Sequence, residues 1–163
     1  MKTAIIYTSK YGTTEKVAAA IAKKLLETTE VELFSLNKKA NPDLQQFETV
    51  ILGSPIYAGQ ASKKMKDFCQ TNESVLLQKK TGLFICGMEP DKEKQNTQLS
   101  GAYPDSLQKN ATATGFMGGA FLFERMNFIE RIIIKKIAKT TTSVQQIDEG
   151  AIEEFLKKLT YVC

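Results

Sequence analysis

"TAIIYTSKYGTTEKVAAAIAKKL", residues 3–25, changes character twice. Residues 3–8 form a short apolar run, as in a strand covered on both faces. From residue 14 to about 27 apolar side chains recur at helical spacing, with Val17, Ile21 and Leu25 on one face. Between the two, Ser9, Thr13 and Thr14 crowd around Gly12. The reading is strand, turn, helix. A helix N-terminus carries unpaired backbone N–H groups and the positive end of the helix dipole. Hydroxyls placed there, beside a glycine that tolerates positive φ, make an anion site, most naturally for phosphate. An ordinary N-cap needs only one of those hydroxyls, and capping stays open as the alternative.

Outward from this stretch the same alternation continues. Strands are expected at 31–36, 49–54, 81–87 and within 111–121, with helices at 62–72, near 99–109, at 124–139 and at 148–159. Residues 88–97 read as a polar loop. Met65 and Phe68 are expected to face inward, as are Ile152, Phe155, Leu156 and Leu159 on the last helix. Short apolar strands alternating with helices predict an α/β domain with a parallel sheet, one domain over 1–163.

Composition excludes several chemistries. The 163 residues contain no His, which removes Ser-His-Asp and Cys-His catalysis and His-ligated metals. The three Cys are far apart with no CxxC pair, which argues for a reducing, cytoplasmic setting and no metal site. The N-terminus reads as a strand meeting a turn and not as a secretory leader. No run approaches the roughly 20 apolar residues that span a bilayer. A net charge of +4 permits an anionic partner without demanding one, and nucleic acid is not expected. The turn lacks both Gly-Lys-Ser/Thr and GxGxxG, so neither a P-loop nor a dinucleotide fingerprint is present.

The stretch "TSKYGTTEKVA" (8–18) resembles the phosphate loop of the flavodoxins, Ser/Thr-x-Thr-Gly-x-Thr. Ser9, Gly12 and Thr14 fall on matching positions, with Lys10, Tyr11 and Thr13 between them; Tyr11 stands where the family often has Thr. The resemblance implies a flavodoxin-like three-layer sandwich. Its five-stranded parallel sheet has order 2-1-3-4-5, with helices on both faces and FMN at the carboxyl ends of strands one and three. A response-regulator receiver shares this topology but needs acidic residues where Thr8, Ser9, Gly53 and Ser54 stand. Two further loops then take roles. Ser54, Pro55, Ile56, Tyr57, Ala58 and Gly59 resemble the first ring-binding loop, with Tyr57 expected to stack on the flavin and Gly53 and Gly59 to let the backbone approach it. Cys86, Gly87, Met88 and Glu89 would be the second. The Cys86 thiol itself reads as buried packing.

Flavodoxins proper are usually strongly acidic, and this chain is basic. The segment "GFMGGAFLFERMNFIERIIIKKIAK" (115–139) resembles the corresponding region of the flavodoxin-like protoporphyrinogen dehydrogenases, and implies an extra helix between strand five and the last helix. Those enzymes oxidise protoporphyrinogen IX in heme biosynthesis and pass electrons to a membrane quinone. The resemblance implies two-electron chemistry at flavin N5, with no catalytic side chain, and a porphyrinogen stacked near Tyr57, Met88 and residues 117–125. On a helical wheel Ile129, Ile133 and Ile137 share one face, while Arg131, Lys135 and Lys139 lie nearly opposite, with Phe128 and Ile132 close to the basic side and Arg125 preceding them. That basic, partly apolar face suits an anionic membrane surface or porphyrin propionates, and equally an ordinary solvated helix. A soluble carrier serving a redox partner protein and an NAD(P)H:quinone reductase are the alternatives. The expected location is cytoplasmic, with peripheral contact at the inner face of the cell membrane.

Overall fold

The computed structural model describes residues 2–10, 12–38, 41–57, 60–121 and 144–160. Strand β1 (Lys2–Tyr7) leads through helix α1 (Thr13–Leu25) to β2 (Glu30–Ser35). Then come β3 (Thr49–Tyr57), β4 (Gln60–Ala61), α2 (Lys63–Leu76) and β5 (Lys80–Cys86). Helices α3 (Lys92–Ala102) and α4 (Asp105–Asn110) precede β6 (Ala113–Phe116), β7 (Gly118–Phe121), β8 (Val144–Ile147) and α5 (Glu149–Thr160).

The main sheet has the order β2-β1-β3-β5-β6, all parallel, with β4 turned back antiparallel on β3. Counting only the parallel strands, this is the expected 2-1-3-4-5. Side chains alternate between the two faces, as the pleat requires. Ile5, Tyr7, Ile51, Phe84 and Cys86 meet Val17, Ile21 and Leu25 of α1 and Ile152, Phe155 and Leu159 of α5. Ala4, Ile6, Val50, Leu52, Leu83 and Ile85 meet Met65, Cys69 and Leu76 of α2 together with Tyr103 and Leu107. Phe68 is partly buried against this second cluster. Every helix residue expected to face inward that lies among the described residues therefore packs against the core, on both sides of the sheet.

Four local expectations are corrected. The polar stretch 88–97 is a loop only to Asp91; helix begins at Lys92, because the Asp91 carboxylate accepts from the N–H groups of Glu93 and Lys94, at 2.8 and 3.3 Å. That helix ends at Ala102, and Pro104 separates it from α4, so 99–109 is two helices meeting at a break. The third strand does not stop at Ser54 but runs to Tyr57 and folds back as β4. Pro55 is tolerated there because β1 ends opposite Gly53, leaving Pro55 with a strand neighbour, Cys86, on one side only. The expected fifth strand is divided at Met117 into β6, which joins the main sheet, and β7, which pairs with β8 in a separate antiparallel ribbon. The expected helix at 124–139 lies outside the described residues.

Candidate functional site

β1 is the point where the chain switches direction across the sheet, with β2 on one side and β3 on the other. Ligands of open α/β sheets sit beyond the strand ends at such a point. Three loops meet there. Tyr7 lies opposite Gly53 in the register, Gly53 opposite Phe84, and Pro55 opposite Cys86, and Thr8 N donates to Gly53 O at 3.1 Å. The stretches following β1, ending β3 and following β5 are therefore neighbours.

In the first loop, Gly12 adopts φ 94°, a left-handed conformation that L side chains avoid, and stands immediately before α1. No side chain caps this helix. Ser9 Oγ instead accepts from Gly12 N at 3.0 Å, closing the turn on itself, while Ser9 N donates to Asn37 Oδ1 at 2.7 Å. The N-cap alternative thus fails for Ser9 and Thr13, and α1 presents its first N–H groups and dipole without a side-chain acceptor. Thr14 Oγ1 and Thr8 Oγ1 are both buried and without a hydrogen-bond partner. Buried hydroxyls rarely stay unpaired, since leaving one so costs roughly 1–3 kcal/mol. Thr14 is near Cys86, but no hydrogen bond of normal geometry joins its hydroxyl to the thiol, a poor partner in any case. Tyr7 OH donates to Glu15 Oε1 at 3.2 Å, tethering the one carboxylate of the first turn. Burial first, and then the Glu15 charge, push the Tyr7 phenol up, so it stays a neutral donor. Lys10 is exposed at the loop surface, and Tyr11 lies outside the described residues.

The second and third loops divide their predicted residues between core and surface. Ser54 is fully buried; its hydroxyl donates to Pro55 O and accepts from Ser62 N, both at 3.1 Å, which ties the end of β3 to the start of α2. Its side chain is committed to the fold. Gly53 also has a packing reason: a Cβ there would come within 2.1 Å of the Phe84 ring. Pro55 and Ile56 are half-buried, and Tyr57 ends the strand with its side chain outside the described set, as are Ala58 and Gly59. Cys86 is buried under α1, and desolvation pushes its thiol up to about 12, so it is an inert neutral packing group. Gly87 is buried, and Met88 and Glu89, half-buried, come to the surface edge beyond it.

The Gly87 loop borders an open cleft of about 350 Å³, whose far wall is Phe116, Gly118, Ile147 and Asp148. Gly87 N donates to Gly118 O at 2.8 Å, and Gly119 passes so close that a Cβ would lie 2.7 Å from Gly87 O. The β7–β8 ribbon is thus packed backbone to backbone on this loop. Gln95, Phe116, Ile147 and Asp148 were not among the residues expected here. The Gly-Gly pair was the available signal for a close approach; β8 carries two glutamines in four residues and offers no strand pattern. Arg125, Phe128, Arg131, Ile132, Lys135 and Lys139, expected to form a membrane or substrate surface, lie outside the described residues. Among the described residues no cluster of His, Cys, Asp and Glu is arranged for a metal ion, and no helix is long and apolar enough to cross a membrane.

A flavodoxin domain model matches residues 4–148. The protoporphyrinogen IX dehydrogenase [quinone] of Leishmania major is 25% identical over 146 residues, covering 86% of this chain but only 63% of its own length. The Escherichia coli protein of the same name is 20% identical over 174 residues, covering 99% of this chain and 96% of its own. Among solved structures, oxidised Flavodoxin 1 from Bacillus cereus superposes with a TM-score of 0.59 at 18% identity, with both chains covered completely. The match extends from inside β1 to the residue before α5, across every strand and all three loop edges, and the chain belongs to the flavodoxin domain family.

Proposed function

We propose that the protein is an FMN-dependent oxidoreductase of the protoporphyrinogen-dehydrogenase kind, with a quinone as electron acceptor. The observation that carries the cofactor reading is the buried, unpartnered hydroxyl of Thr14 in the first turn of α1, a helix whose N-terminus no side chain caps. An anionic phosphate supplies what they lack: an acceptor for the Thr14 hydroxyl and for the N–H groups of α1. The residues present therefore fit FMN, with the loop 9–14 holding its phosphate and the stretches 54–59 and 86–89 flanking its ring. The flavin supplies the redox chemistry when bound.

The chain's own part is binding, orientation and exclusion. Ser9 fixes the turn through Gly12 N, and Tyr7 keeps the Glu15 carboxylate tethered. Because Ser54 and Cys86 commit their side chains to the core, it is the backbone of their loops that meets the ring. Tyr57 remains the stacking candidate. The enzyme reading draws on the near-complete mutual coverage with the E. coli dehydrogenase and on the cleft beside Met88. Phe116, Met88, Pro90 and Ile147 offer it apolar contact for a flat molecule. Its charged lining residues are the acids Glu89 and Asp148, so porphyrin propionates would point out of it. A soluble electron carrier is the second reading, favoured by the likeness in fold to Flavodoxin 1.

The deciding experiment mixes FMN-loaded protein anaerobically with protoporphyrinogen IX and a menaquinone analogue and follows porphyrin fluorescence. Growth that requires protein, FMN and quinone together is the expected result. A flat trace with FMN fully bound overturns the dehydrogenase reading.

A further inference from the structure

Tyr103 stands between the break of α3 and α4, fully within the core on the α2 side of the sheet. Its hydroxyl lies 2.6 Å from Phe84 O and 3.1 Å from Leu52 O, bridging adjacent parallel strands. Each carbonyl has a second lone pair to offer beyond the strand ladder. The two acceptors are placed alike: Leu52 is two residues before Ser54, and Phe84 two residues before Cys86. These are the first residues of the two loops assigned above to the flavin ring. On the opposite face of the sheet, at the same level, the Phe84 ring fills the space where Gly53 has no side chain. β3 and β5 are therefore gripped from both faces just behind the two loops. Tyr103 is itself held, through Gln108 Nε2 donating to Tyr103 O at 2.7 Å. Among the described residues Tyr103 makes no bond to the phosphate loop, which is linked to β3 by Thr8 N donating to Gly53 O.

We propose that Tyr103 is a positioning residue for the flavin ring, setting the spacing of the two ring loops from behind without touching the cofactor. This rests on the FMN reading above. It separates two parts of binding: the ring depends on Tyr103, and the phosphate does not. A buried hydroxyl shared by two carbonyls also has no apolar substitute of equal effect, so Tyr103→Phe deletes the bridge while keeping the packing.

The test measures dissociation constants of FMN and riboflavin, and the midpoint potential of bound FMN, for the native protein and Tyr103→Phe. Both flavins should weaken together by roughly tenfold, with their affinity ratio held, and the potential should shift. Native riboflavin affinity and an unshifted potential in Tyr103→Phe overturn the inference, even if the variant is less stable to urea. If that variant does not accumulate folded, Phe84→Leu loosens the grip from the other face and is judged by the same criteria. Native protein that takes up no FMN overturns the cofactor reading itself, a result distinct from a variant that binds as the native does.

Discussion

Thr14 has a hydroxyl that the folded chain buries and does not use. Thr14→Val removes that unpaired group at nearly constant shape. The apoprotein should be at least as stable, gaining up to about 1 kcal/mol, while FMN affinity falls roughly tenfold. Urea unfolding and flavin fluorescence titration check the two halves separately, and unchanged FMN affinity would remove Thr14 from the phosphate contacts. Cys69 and Cys86 make a prediction of a different kind. Burial pushes both thiols from 9.0 up to about 12. Between those values the unfolded chain releases the protons and the folded chain keeps them. Stability is therefore intact below pH 9 and declines as pH rises toward 12, by up to about 1.4 kcal/mol per pH unit for each thiol. The double variant Cys69→Ala, Cys86→Ala should show a shallower alkaline slope in urea midpoints than the native protein. At this scale the sequence was legible in part. The turn around Gly12 that leads into α1 could be read from spacing, because a turn into a helix is a local event. The burial of Ser54 and the idle hydroxyl of Thr8 could not, because each depends on what a distant segment brings to it.

Among the elements, α5 shows why patterned helices are readable. Ile152, Phe155, Leu156 and Leu159 repeat at helical spacing, and all four are buried. Phe155 meets Phe84 edge-on, with ring centres 6.1 Å apart, and occupies the space over Gly82. Phe155→Ala should cost about 3–5 kcal/mol, seen as a lower urea midpoint with unchanged slope, since the rigid strand below cannot fill the void. The elements that escaped the reading lack such a period. α3 has few buried side chains, Ala102 being the one fully covered, and its start is marked by the Asp91 cap alone. β4 has two residues, and β8 four, two of them glutamine. The extension of β3 through Pro55 depends on β1 having ended beside it, which no feature of residues 49–57 announces.

For the whole molecule, the switch in direction at β1 assembles one loop edge from three distant stretches, and everything proposed for the cofactor follows from that edge. The membrane expectation also belongs here. Replacing Arg131, Lys135 and Lys139 together with Glu should weaken co-sedimentation with anionic liposomes several-fold and leave FMN binding unchanged; equal sedimentation would assign the basic face to solvent. The amino-acid sequence by itself determined the α/β class, the strand-turn-helix at the start and the inward faces of the helices. These are written in local spacing and apolar period, which a chain carries along its own length. Only the tertiary structure decided that the Thr14 hydroxyl stands idle in the first turn of α1, that Ser54 turns inward, that a ribbon of β7 and β8 walls a cleft by Gly87, and that Tyr103 bridges Leu52 and Phe84. Each of those is a meeting of segments far apart in the chain, set by register across the sheet and by what the pleat points to each face.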